Sequence, residues 1–178
     1  MTLMFAYGSN LNVAQMEQRC PAAEPLGRLL LRNWRLVFRG VADCIPEDGA
    51  VCYGGVWRIT PRCEAALDAY EGIASGMYRK EYIRIKRTPQ GETEMLVYVM
   101  NSTGIMPPSQ YYLNVIRQGY RDHQMPRAAR TVLNRAVAES WDDKAPSHLE
   151  RQRHRRNGRP HLAKRPDVPA MPETGDTP

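Results

Sequence analysis

Histidine is scarce in this chain of 178 residues, and its four copies, at 123, 148, 154 and 161, all fall behind the stretches that read as strands. A Ser-His-Asp or Cys-His relay needs an imidazole beside its nucleophile, so hydrolysis of that kind is set aside. The four cysteines, at 20, 44, 52 and 63, form no CxxC pair and have no histidine near them in sequence. Zinc-ligand spacing is therefore missing, and free thiols in a reducing cytosol are expected. Neither glycine pattern of a nucleotide-phosphate cradle occurs. No run of about 18 apolar residues exists, and the N-terminus lacks the basic-then-apolar order of a leader, so a cytoplasmic protein without a membrane partner is expected. Positive charge is plentiful but uneven. Residues 151–178 carry seven Arg/Lys against three acids, most of the chain's net +6, and the part before them is close to neutral. The body is thus not expected to read nucleic acid; only the basic tail is a candidate for that. Beyond Pro146, apolar periodicity gives way to Arg, Pro and Gly. The expected organisation is a domain over 1–145 and a disordered basic tail over 146–178.

What is present begins with Leu3 to Tyr7, a short apolar run that ends in a Gly8-Ser9-Asn10 turn and leads into a helix. Asn12, three residues before Gln15, is the expected N-cap, and Pro21 the stop. The backbone from Gly8 to Leu11 then sits at a strand-to-helix corner, where unpaired N–H groups suit a carboxylate or a developing oxyanion. A plain connection without a ligand is the alternative.

Further on, 26–31 and 34–39 read as two strands with Asn33 between them. Residues 40–50, with Pro46 and Asp48-Gly49, read as a loop. Gly54-Gly55 inside the next strand signals a bulge or a close backbone approach, and with it a curved or barrel-like sheet. Thr60-Pro61 opens a second helix with an apolar stripe of Cys63, Ala66, Leu67 and Tyr70. Glu71 lies about 40° round from Leu67 on a helical wheel. It either leans toward the core, where burial and the helix end would raise its pKa and suit it to act as a general base, or reaches sideways into water. Asp68 is the competing acid, expected on a solvated face. Residues 78–87 and 94–100 form a hairpin about Pro89-Gln90-Gly91, with Tyr98 pointing inward. Ser109 caps a third helix along Tyr112, Leu113, Ile116 and Tyr120, and Pro126 opens a fourth.

An anion-holding corner, one semi-buried glutamate and inward tyrosines suit proton shuttling on a small anionic substrate. Tyr7-Gly8-Ser9-Asn10-Leu11, Leu67-Asp68-Ala69-Tyr70-Glu71-Gly72, Ser75-Gly76-Met77-Tyr78 and Pro107-Pro108-Ser109, in that order over residues 3–126, resemble the gamma-glutamylcyclotransferase family, including AIG2-like proteins. The resemblance implies an α+β fold with a small mixed β-barrel and flanking helices. It also implies a lyase, formerly classed as an acyltransferase, that releases 5-oxoproline from gamma-glutamyl compounds, as in glutathione metabolism, without cofactor or metal. It makes Glu71 the catalytic base. It assigns Tyr7, Gly8, Ser9, Asn10 and Leu11, with Tyr78 and Tyr98, to binding of a gamma-glutamyl substrate by a monomer or homodimer. The competing expectation is a catalytically idle small-molecule-binding domain whose Arg-rich tail contacts nucleic acid or an acidic partner.

Overall fold

A computed structural model describes residues 1–88 and 91–142. Two long strands dominate its sheet. β2 (Glu24–Phe38) and β3 (Ala42–Ile59) pair antiparallel from Phe38 opposite Ala42 to Glu24 opposite Arg58. This corrects two expectations: β2 is not divided at Asn33, and most of the expected loop over 40–50 is strand. Asn33 takes φ 59° and Gly49 φ 77°, and the Gly49 amide donates to the Asn33 side-chain oxygen at 3.1 Å. The two turn-forming signals thus meet across the ladder, where the register shifts between Arg32 and Trp34. Pro46 is tolerated because β1 pairs with β3 only over 55–59, leaving the earlier part of β3 a single ladder neighbour.

β1 (Thr2–Ala6) lies between β3, antiparallel, and β5 (Gly91–Met100), parallel; β4 (Tyr78–Thr88) pairs with β5 at the other edge. The order is β2-β3-β1-β5-β4. The architecture is α+β with a mixed sheet and flanking helices, and the sheet ends in two edge strands rather than closing into a barrel. The central place of β1 explains why its residues form an apolar run instead of alternating. Met4, Phe5 and Ala6 are all buried, so both faces are covered. The β4–β5 hairpin forms as expected, although Pro89 and Gln90 of its turn lie outside the described residues.

Among the described residues four helices flank the sheet: α1 (Val13–Arg19), α2 (Pro61–Tyr70), α3 (Gln110–Asp122) and α4 (Arg127–Ser140). The expected caps form. Asn12 accepts from the Gln15 amide, Thr60 from that of Cys63, and Ser109 from that of Tyr112. The reciprocal half of the Asn12 box is replaced, because the Gln15 side chain accepts from Arg19. The stripe on α2 is narrower than expected: Cys63 and Leu67 are buried, but Ala66 is exposed. Gly54 marks a close approach, since a Cβ there would stand 2.3 Å from the Ala6 carbonyl oxygen. At Gly55 the neighbour is the buried ring of His123, which meets Trp57 edge-on at 5.5 Å. All four cysteines are free and buried. Among the described residues no helix is long and apolar enough to cross a membrane. The expected tail, 146–178, lies outside the described residues.

Candidate active site

The site is built where β1 ends. After Gly8 the chain winds into one 3-10 turn, Ser9–Leu11, before α1 begins. In that turn the Leu11 amide donates to the Gly8 carbonyl at 3.1 Å, and the Leu11 side chain is fully buried. This departs from the expectation for Leu11. Its donor is already occupied, and it does not line the adjoining cavity. Tyr7, Gly8, Ser9 and Asn10 do line it. A Cβ on Gly8 would come within 2.9 Å of the Tyr112 hydroxyl, so a side chain at this corner would have to displace that hydroxyl from α3.

Glu71 approaches from the opposite wall. It is the C-cap of α2, its amide donates to the Leu67 carbonyl at 2.8 Å, and Gly72 at φ 66° turns the chain away. Of the two directions that helical spacing left open to the side chain, the fold takes the inward one: Glu71 is 8% exposed. Its carboxyl oxygen accepts from the Asn10 side-chain N–H at 2.8 Å, so acid and corner are in direct contact. Burial pushes the Glu71 carboxyl up to about 7, against the opposing pull of the Asn10 hydrogen bond and of the Arg19 charge.

Tyrosines complete the walls. The Tyr7 hydroxyl donates to the Tyr98 carbonyl at 2.5 Å, and the Tyr98 hydroxyl donates to Asp68 at 2.7 Å. Asp68 thereby departs from the solvated face expected of it. Its other oxygen meets the Lys80 ammonium at 2.7 Å, and Lys80 also holds Glu64. Burial, above all, drives the Tyr7, Tyr78 and Tyr98 phenols well above their ordinary value. They therefore stay protonated and neutral around one carboxyl that can change charge near pH 7. The cavity measures about 30 Å³, room for roughly one or two waters. Among the described residues no group of three or more His, Cys, Asp or Glu converges to hold a metal.

A model of the AIG2-like family matches residues 51–130. Gamma-glutamylcyclotransferases of Bos taurus and Homo sapiens are 27% and 26% identical over 160 residues, covering 83% of this chain and 85% of each relative. A solved gamma-glutamyl cyclotransferase structure superposes with a TM-score of 0.67 at 26% identity, over 74% of this chain and 86% of that one. Over most of its length the chain is thus similar to gamma-glutamylcyclotransferases, and over residues 51–130 to the AIG2-like family. The Bacillus subtilis YkqA structure shares the fold, with a TM-score of 0.64 at 24% identity over 77% of this chain and 54% of that one.

The stretch matched by the AIG2-like model contains Glu71, Tyr78, Tyr98 and Tyr112 but starts after the β1 corner. Tertiary packing is what joins the two. Three participants could not be picked out from sequence. The Tyr112 hydroxyl lines the cavity and accepts from the Ala42 amide at 3.1 Å; its only sequence signal was a hydroxyl within an apolar helix stripe. The Asn10 side chain, not just its backbone, contacts Glu71. Arg19 holds the far end of that side chain at 2.7 Å; its signal was a cation in the last turn of α1, four residues after Gln15.

Proposed function

We propose that this protein is a cyclotransferase that releases 5-oxoproline from a gamma-glutamyl amide. The observation that carries the reading is one buried carboxyl, Glu71, with a pKa near neutrality and in direct contact with the Tyr7–Asn10 corner. The similarity to named gamma-glutamylcyclotransferases adds support. In this reading the corner and the surrounding phenols hold the glutamyl unit folded back on itself, which makes ring closure intramolecular. Glu71, as carboxylate, takes a proton from the substrate α-ammonium group. The freed nitrogen attacks the γ-carbonyl carbon, forming the ring C–N bond and an oxyanion that faces fixed hydrogen-bond donors. As the oxyanion collapses and the original amide C–N bond breaks, Glu71 returns its proton to the departing nitrogen and then relays to it the second proton of the ring nitrogen, so the products are the neutral lactam and the amine in its ammonium form. Protons and electrons balance without an oxidant or a second substrate.

Tyr78 and Tyr98 serve binding in this account, with Tyr7, Gly8, Ser9 and Asn10; Leu11 serves by packing the corner. Residues 1–145 are the working unit, and 146–178 take no part in the reaction. The test is incubation of the purified chain with a mixed gamma-glutamyl library, reading 5-oxoproline and its co-product by mass spectrometry. Equal release by the wild type and by Glu71→Gln overturns the proposal, as does no release from any member.

A further inference from the structure

Arg19 does not touch the cavity, yet the contact that fixes the far end of the Asn10 side chain leads to it. Its Nη1 donates to the Asn10 Oδ1 at 2.7 Å, while Nη2 donates to the Gln15 Oε1 at 2.6 Å and to the Tyr70 hydroxyl at 2.7 Å. The guanidinium carbon also stands 3.8 Å from the centroid of the Tyr70 ring. A planar group bound on α1, on α2 and against an aromatic face has little freedom to turn.

The consequence follows from donor and acceptor inventories. A guanidinium has only donors, so the end of the Asn10 carboxamide facing it must be the oxygen. The amide N–H end then has one direction left, toward Glu71, which it meets at 2.8 Å. An N–H donor favours the carboxylate over the carboxylic acid, whose own O–H would want an acceptor there. We propose that Arg19 is a positioning residue for Glu71: by holding the Asn10 carboxamide oxygen, it fixes the amide with its N–H toward the carboxyl and so selects the ionised form. This deepens the proposed function, on which its catalytic meaning rests.

Burial, which disfavours the ionised carboxylate, is thereby opposed by an amide that cannot flip. Remove the guanidinium and the Asn10 side chain is free to rotate and present its oxygen to a protonated Glu71. Other groups face Glu71 as well. Tyr7 from the end of β1, Tyr78 from β4, Tyr98 from β5 and Tyr112 from α3 are all electrostatically coupled to it. Burial holds these four protonated, so none of them reverses the direction of the Arg19 effect.

The test titrates Glu71 directly, so it does not depend on any substrate. In protein carrying ¹³C-labelled glutamate, the Glu71 carboxyl resonance is assigned by its loss in Glu71→Gln and followed from pH 4 to 9. Arg19→Met is expected to raise its midpoint by about one pH unit relative to wild type. Arg19→Lys, whose single ammonium cannot serve Asn10, Gln15 and Tyr70 in the same planar arrangement, should fall between the two. Should Arg19→Met fail to give a folded spectrum, Arg19→Lys carries the test alone. Asn10→Ser, which removes the bridging amide, separates orientation from the bare field of the cation. The Arg19→Met change should then be much smaller in the Asn10→Ser background than in wild type. An unchanged midpoint in folded Arg19 variants overturns the proposal, and so does an equal change in both backgrounds. If the library releases no 5-oxoproline while these midpoints move as expected, the activity reading fails and the positioning role stands.

Discussion

Glu64 and Glu71 sit seven positions apart along α2 and its cap, on nearly the same helical bearing, yet their surroundings push them in opposite directions. Glu64 lies in the first turn, only partly buried, and receives the Lys80 ammonium at 2.7 Å and the Thr2 hydroxyl at 2.9 Å. The Lys80 hydrogen bond leads in holding its carboxyl below the ordinary value. Glu71, at the other end, is buried and receives one neutral amide N–H. Its cation, Arg19, makes no direct hydrogen bond to it and is bridged to it by Asn10, acting otherwise only through its charge. Desolvation therefore wins at Glu71 and direct pairing wins at Glu64. The same helix carries one group that helps hold the fold and one whose proton can be exchanged near neutral pH.

The largest effect expected from this contrast is on rate. Glu71→Gln keeps the shape and the hydrogen-bond acceptor but cannot move a proton, and should slow 5-oxoproline release by about 10²- to 10⁴-fold. A variant as fast as wild type breaks the contrast at its functional end. Next comes stability. With a folded-state pKa of about 7 against an ordinary 4.5, Glu71 binds its proton more tightly in the folded than in the unfolded chain. Its contribution is fully present below about 4.5 and is lost as pH rises to about 7, a fall of up to roughly 3 kcal/mol. Glu71→Gln should lack that fall, so urea unfolding at pH 4.5 and pH 8 should show the variant gaining on wild type at the higher pH. Identical pH dependence in the two proteins would mean that Glu71 is not desolvated in solution.

Smaller again is the effect of pH on turnover. The base must be ionised, so kcat/KM for a responsive gamma-glutamyl substrate should fall on the acid side with a midpoint near 7, by about tenfold at one unit below it. A midpoint near 4.5 would place Glu71 in water. The smallest effect belongs to the other end of the comparison. Glu64→Gln should cost about 1 kcal/mol or less at pH 7, since its pair with Lys80 is partly exposed. That difference should vanish as pH falls through the lowered pKa of Glu64, because the wild-type carboxylate is then protonated too. The acid limb of the rate profile should stay where it was. A Glu64 variant that moves this limb would show that the two carboxyls are coupled, and would sharpen the contrast into a shared network.

Local chemistry was legible wherever its cause lay within a few residues. Asn12, Thr60 and Ser109 cap their helices because each needs only a backbone amide three residues on. Glu71 could be traced to the edge of a buried face because helical angle is a property of spacing. The β2–β3 hairpin was not legible. Asn33, Pro46 and Asp48-Gly49 are each turn-forming in isolation, and only pairing across the strands converts Asn33 and Gly49 into one bulge. Asp68 was misread for a similar reason, since its partners, Tyr98 and Lys80, arrive from the β4–β5 hairpin.

By itself, the sequence determined the capped starts of α1, α2 and α3, the glycine corner after β1 and the presence of one acid near an apolar stripe, because each of these depends on neighbours in the chain. Tertiary structure alone decided that Glu71 meets Asn10, that Arg19 orients the amide between them, and that Tyr112 closes over Gly8. Those contacts join elements that only packing brings together, and the burial that raises the Glu71 pKa exists only after α2, α3 and the sheet have packed around it.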